Sequence, residues 1–230
     1  MKPWLFLHGA LGASVQLQTL KQNLGHDADI SLFDFPQHGS NSDNCPFTMQ
    51  GMADYLYTRV NQLGLEGAHV FGYSMGGYAA LTAEAQHPGL FVGIVTLATK
   101  FDWNEETARM ESGRLDAEKI AIKFPQWADQ LHEMHTAIPW QKLMQQTVSL
   151  MMDMGRQPLL HAISLQRIQC PVCLGLGDRD KMVSLEETLA VYKQLPQASF
   201  YILPHTAHPI EQVPLKVLAQ HLLRFSDMFS

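Results

Sequence analysis

The chain has 230 residues, 46% of them hydrophobic, which is enough for one domain with a sizeable core. Twenty-two acidic against 16 basic residues give a net charge of −6 with no Lys/Arg run, which argues against a nucleic-acid groove or a patch for acidic membranes. No apolar run approaches the roughly 20 residues of a spanning helix, and the stretch Trp4 to Leu7 is shorter than the roughly 7–15 residues of a secretory h-region.

Pro3 to Leu7 reads as a first strand, ended by the Gly-rich turn His8-Gly9-Ala10-Leu11-Gly12. Leu17, Leu20 and Leu24 then recur at helical spacing. Asp29 to Phe35 is a second strand, ended by Asp34-Phe35-Pro36-Gln37-His38-Gly39-Ser40. Thr48 is an expected N-cap without a capping box. Its helix has Met52, Tyr55, Leu56, Val60 and Leu63 on one side and closes near Gly64. Ala68 to Phe71 is a third strand. Tyr78 to His87 is a helix stopped by Pro88, and Phe91 to Ala98 is a fourth strand.

From Thr99 to about Arg167 strands vanish and amphipathic stretches rich in Met, Trp and His take over. Asp116 is placed to cap a helix from Ala117, and Pro125, Pro139 and Pro158 are expected to divide the region into short helices. Strand–helix order resumes with strands at Pro171 to Leu176 and Ser199 to Leu203, and helices at Ser184 to Leu195 and Val213 to Phe229. Such alternation predicts one domain over residues 1–230. Its core is a mostly parallel sheet flanked by helices, with a helical lid insertion at about 100–167. Sites in such sheets lie beyond the C-terminal strand ends. His8-Gly9, Asp34, Ser74, Asp178 or Asp180, and His208 all follow strands.

Between the third strand and its helix stands Gly72-Tyr73-Ser74-Met75-Gly76, a strand, G-x-S-x-G, helix arrangement. Turning a strand directly into a helix strains the central residue and displays its side chain. A Cβ at Gly72 or Gly76 would strike the neighbouring strand or helix, and the helix N-terminus favours an anion beside Ser74. A serine hydroxyl needs a base, and the base needs a carboxylate to fix its tautomer. Downstream follow Gly177-Asp178-Arg179-Asp180-Lys181-Met182-Val183 and then His205-Thr206-Ala207-His208-Pro209, so Ser, acid and His come in that order.

These pieces together resemble the α/β-hydrolase superfamily over nearly the whole chain outside the insertion. The resemblance implies a serine nucleophile, Ser74, with His208 as base in preference to His205. It implies Asp180 as acid in preference to Asp178, from its place between Gly177 and Val183. It also implies oxyanion donors at the Met75 and Ala10 backbone N–H groups. His8 is expected to be a structural hydrogen-bonder. Gln37 stands where the family often has Gly, and Ser184 where Pro is frequent. The two leading strands of the family are missing, so the sheet is expected to have about six strands.

The implied activity is hydrolysis of an ester or thioester of a small to medium acyl group through an acyl-enzyme, without cofactor. The implied partner is a small-molecule substrate, with neither nucleic acid nor membrane. A C–C hydrolase, or a lyase similar to that of the menaquinone pathway, would use the same triad. The lyase usually has Arg where Tyr78 stands. Dehalogenases and epoxide hydrolases use an Asp nucleophile and are disfavoured. A non-catalytic binding module on the same scaffold is the remaining alternative.

No metal site is expected. His132-Glu133-Met134-His135 has i, i+3 spacing instead of the i, i+4 of a zinc helix, and His26, His69, His87, His161 and His221 are scattered. Cys170 and Cys173 fall on opposite faces of one strand, so C-x-x-C is no redox pair here. Three cysteines, an odd number, suit a reducing compartment, and the cytoplasm is the expected location. Some of Phe101, Trp103, Trp127, Trp140, Met144, Met151, Met152 and Met154 are expected to line a pocket above Ser74 and the rest to pack the lid. The sequence carries no reading of oligomeric state.

Overall fold

The computed structural model describes residues 2–25 and 28–229, so His26 lies outside the described residues. Strands β1 (Trp4–Leu7), β2 (Ile30–Phe33), β3 (Ala68–Tyr73), β4 (Phe91–Leu97), β5 (Val172–Gly177) and β6 (Ala198–Leu203) form one sheet in the order β2-β1-β3-β4-β5-β6. Every neighbouring pair is parallel. Strands β1 and β3 are buried throughout, as near-continuous apolar runs covered on both faces must be.

Side chains alternate between the faces. Leu5 and Leu7 join a core with Met52, Leu56 and Val60 of helix α2 (Met49–Leu63) and Ala79, Ala80 and Ala83 of α3 (Met75–Gln86), whereas Trp4 and Phe6 pack with Leu20 of α1 (Gln18–Asn23) and Leu218, Leu222 and Phe225 of α10 (Leu215–Met228). The helices are α1 (Gln18–Asn23), α2 (Met49–Leu63), α3 (Met75–Gln86), α4 (Glu105–Ser112), α5 (Ala117–Lys123), α6 (Pro125–Met134), α7 (Trp140–Arg156), α8 (Ala162–Gln166), α9 (Leu185–Tyr192) and α10 (Leu215–Met228). Thr48 caps α2 through Gly51 N–H, and Gly64 ends it at φ +65°. Leu63, expected on the apolar side, is half exposed, because Val60 is the last residue of α2 that reaches the core.

Helices α4 to α8 lie between β4 and β5. Pro125 opens α6 at its first turn, and Pro139 precedes α7. α7 is longer than the short helices expected, at 17 residues, because no Pro interrupts Trp140 to Arg156. Its buried residues Trp140, Leu143, Met144, Thr147, Leu150, Met151 and Met154 recur every three or four positions. α4 crosses α7 where Gly155 lies against Ala108 and the Asn104 carbonyl, too close for a Cβ. This segment holds its own apolar cluster of Ile120, Ala128, Leu131, Trp140, Leu143 and Met144. Leu11, from the loop after β1, inserts into that cluster. Among the described residues no helix is long and apolar enough to cross a membrane.

Candidate active site

The turn from β3 into α3 places Ser74 at φ 51°, ψ −115°, a region that costs a non-glycine residue about 1–3 kcal/mol. Its surroundings hold it there. Ser74 N–H donates to the Leu97 carbonyl at 2.8 Å, and Thr99 Oγ1 donates to the Ser74 carbonyl at 3.1 Å. A Cβ on Gly72 would lie 2.5 Å from Gly77 Cα, and one on Gly76 would lie 2.6 Å from the Leu7 carbonyl oxygen. Both glycines are therefore fixed by close approach, to the helix in one case and to β1 in the other.

Ser74 Oγ is 3.3 Å from His208 Nε2, and His208 Nδ1 is 2.8 Å from Asp180 Oδ2. Asp180 is pinned in turn: its Oδ1 accepts from the N–H groups of Met182 at 2.8 Å and Val183 at 2.9 Å, and its side chain is almost wholly buried. An ionised carboxylate at Nδ1 selects the tautomer with its proton there. Nε2 is thereby left as an acceptor facing the serine. Tyr73, the variable residue inside the elbow motif, donates its O–H to the His208 carbonyl at 2.8 Å and so holds the histidine loop against β3. Burial raises the pKa of this phenol, which keeps it a donor. Nothing in the sequence singles Tyr73 out.

Asp178 lies elsewhere. It is exposed, and its Oδ1 accepts Thr206 N–H at 3.1 Å. Backbone N–H groups of His205 and Thr206 hold its carboxyl below the usual range. Its neighbour Arg179 bonds to the His205 ring, which is exposed.

Ala10 and Met75 both line a cavity at Ser74, and their N–H groups make no hydrogen bond among the described residues. The loop bearing Ala10 is held from both sides. His8 Nε2 accepts Phe35 N–H at 3.1 Å, and its Nδ1 donates to the Gly9 carbonyl at 2.8 Å. Asp34 Oδ1 accepts Ser14 N–H at 2.6 Å. His8 and Asp34 thus shape the loop and stand back from Ser74. From the helical segment, His135 accepts Gly39 N–H at 2.9 Å and donates from Nε2 to the Leu11 carbonyl at 3.0 Å. Leu11 is at φ +56°, and Gln37, where the family often has Gly, is at φ +64°. His38 lies between the His8 ring at 4.9 Å and the stacked Phe47 at 5.6 Å. Burial lowers the pKa of His8 to about 4, keeps that of His38 well below the usual value, and lowers that of His135. Among the described residues no group of three or more His, Cys, Asp or Glu is placed to hold a metal ion. Cys170 and Cys173 are free thiols packed into the cores on opposite sheet faces.

Two spaces meet at Ser74. An inner cavity of about 30 Å³ is walled by Met49, Tyr78, Trp103, Leu150, Met154 and Lys100, beside Ala10 and Met75. An outer groove of about 780 Å³ runs past His208, Arg114, Phe124, Trp127 and Glu211. Met151 and Met182 border both. Of the side chains expected at a pocket, Trp103, Met151, Met154 and Trp127 line these spaces, while Trp140 and Met144 pack within the helical segment. Tyr78 Oη accepts the N–H groups of Leu159 at 3.1 Å and Leu160 at 3.0 Å, tying α3 to the chain after α7.

A family model described as alpha/beta hydrolase fold matches residues 2–138. A pimeloyl-[acyl-carrier protein] methyl ester esterase of Chromobacterium violaceum is 28% identical over 94% of this chain and 90% of its own length. A 2-succinyl-6-hydroxy-2,4-cyclohexadiene-1-carboxylate synthase of an Enterobacter species is 27% identical over 55% of this chain and 46% of its own. Among solved structures, NosK from Streptomyces actuosus superposes with a TM-score of 0.83 at 17% identity, covering 100% of this chain and 99% of that one.

Proposed function

The chain belongs to the alpha/beta hydrolase fold family, and from that premise we propose that it is a serine hydrolase cleaving an ester or thioester of a small to medium carboxylic acid. One observation carries the reading: the unbroken chain of contacts from Asp180 through His208 to Ser74, with the far end of Asp180 fixed by two backbone N–H groups. In this reading His208 Nε2 takes the Ser74 proton as Oγ attacks the acyl carbon. The Ala10 and Met75 N–H groups receive the oxyanion. The bond to the leaving oxygen or sulfur breaks as His208 returns the proton to it. Water, deprotonated by the same nitrogen, then releases the acid and restores Ser74.

The two spaces divide the substrate. The small inner cavity is assigned to a short acyl chain, and the groove of about 780 Å³ to a much larger alcohol or thiol. The helical segment between β4 and β5 walls both and serves as the lid. The Chromobacterium relative, named for a methyl ester, supports an ester substrate. Three free thiols suit a reducing compartment such as the cytoplasm.

The Enterobacter relative, named as a synthase of a cyclohexadiene carboxylate, makes a C–C reaction with the same triad the second reading. Two features weigh against it. Tyr78, where that lyase usually has an Arg for a substrate carboxylate, brings no positive charge and is tied to the Leu159 and Leu160 N–H groups, and the inner cavity is small for a six-membered ring. The test is hydrolysis of p-nitrophenyl esters from acetate to octanoate by the wild type and by Ser74→Ala. Expected are turnover that is best for the shortest chains and a loss of about 10⁴-fold or more in the variant. No turnover, with Ser74 still labelled by a serine-directed phosphonate, would favour the C–C reading. Absence of labelling would favour a binding module.

A further inference from the structure

The inner cavity has one cation in its wall. Lys100, three residues beyond β4, is 6% exposed and is among the residues that line the Met-, Trp- and Leu-rich space beside Ser74. A lysine ammonium carries three N–H donors. Only one is committed to a hydrogen bond, to the Met182 carbonyl at 3.2 Å. The nearest carboxylate, Glu187, approaches to 3.5 Å, an ion pair longer than a charge-assisted hydrogen bond. Glu187 is already engaged. Its Oε1 accepts Phe101 N–H at 2.9 Å and Asp102 N–H at 3.3 Å, and its Oε2 accepts Ser184 N–H at 3.1 Å and Ser184 Oγ–H at 3.2 Å. The carboxylate closes a capping box at the start of α9 and orders the chain after β4, with Lys100 beside it. A buried ammonium with spare donors, in an otherwise apolar pocket, gains most from an acceptor brought in by a ligand.

Resting on the hydrolase reading above, we propose that Lys100 selects the acyl group, and that the preferred substrates are half-esters or half-thioesters of short dicarboxylic acids. The ester carbonyl lies at Ser74 and the free carboxylate at Lys100 Nζ. The inner cavity is small, so malonyl- and succinyl-sized chains, the shortest of the diacids, are the proposed range. The outer groove keeps the alcohol or thiol. Hydrolysis then yields the free diacid, so the protein consumes what a mono-esterifying or acyl-transfer reaction on a short diacid supplies.

The test compares kcat/KM for monomethyl succinate and monomethyl malonate with that for methyl butyrate and methyl propanoate, following acid release. The wild type is expected to favour the anionic member of each pair. Lys100→Met is expected to cut that preference by about 10- to 100-fold, the worth of one hydrogen bond to a charged group. Glu187→Gln separates binding from structure. It leaves the cation and removes its competing anion, so the anionic preference is kept or increased. If Lys100 matters only as the partner of Glu187, both variants fall together and neither shifts the preference, which would overturn the proposal. Calorimetric titration of Ser74→Ala with malonate and with propanoate reads the subsite without turnover, so its outcome stands apart from that of the ester assay. Equal affinity for the two acids, or malonate binding unchanged by Lys100→Met in the same background, would also overturn it.

Discussion

Asp178 and Asp180 stand two positions apart on one loop and carry the same carboxyl group, yet their surroundings give them different work. Asp180 is buried with one oxygen on His208 and the other on two backbone N–H groups. Asp178 is exposed and caps the loop after β6 through Thr206. Asp180→Asn is therefore expected to lower kcat by about 10⁴-fold, because an amide that accepts from the backbone presents its NH₂ to His208 and reverses the tautomer. Asp178→Asn should leave kcat near wild type and show its effect in thermal stability. Steady-state kinetics of the two variants on one ester decide the assignment, and equal losses would refute it. Family pattern distinguishes the two carboxylates in the sequence; composition and spacing alone leave them equivalent. Lys100 and Tyr73 were illegible for a different reason. Each has its meaning only through a partner far along the chain, Met182 and Glu187 for the one and the His208 carbonyl for the other.

At the scale of elements, strands and flanking helices were readable because their signals are local: apolar runs, the Thr48 cap, Gly64 at the helix end, and the elbow glycines. The segment between β4 and β5 was readable only as helical. His132-Glu133-Met134-His135 offered a metal motif with the wrong spacing, whereas His135 in fact joins the proposed lid to the loop after β1. That loop carries Ala10, and its neighbour Leu11 is anchored twice. Its side chain lies in the lid's apolar cluster and its carbonyl on His135. Leu11→Ala is expected to cost about 2–5 kcal/mol, as for a buried leucine, measured by urea unfolding. His135→Ala removes the carbonyl anchor and leaves the cluster. Its kcat should fall by up to about 10²-fold, the cost of one oxyanion donor, with little change in KM. A rise in KM at constant kcat would show instead that His135 serves only the shape of the groove.

For the whole molecule, buried imidazoles are expected to weaken the fold toward acid pH. Burial lowers the pKa of His8 and His69 to about 4 and also depresses those of His38 and His135. The unfolded chain, with histidines near their usual value of about 6.5, binds more protons than the folded one between those limits. This contribution to stability is complete above about pH 6.5 and is lost as pH falls toward 4. Calorimetric Tm measured from pH 7.5 to 4 should decline through that window. His69 lies stacked on Trp4, and neither ring nitrogen has a partner among the described residues. His69→Phe should flatten part of the decline and raise Tm at neutral pH, since an apolar ring of similar shape removes two unsatisfied polar atoms. An unchanged slope would place the acid sensitivity elsewhere. The anchoring of Leu11 also bears on how such a chain diversifies. A helical segment grafted from a relative would bring new pocket walls without a socket for Leu11 or a partner for its carbonyl. The transplant would lose the anchored form of the proposed oxyanion loop before it acquired a new specificity, unless the loop travelled with it.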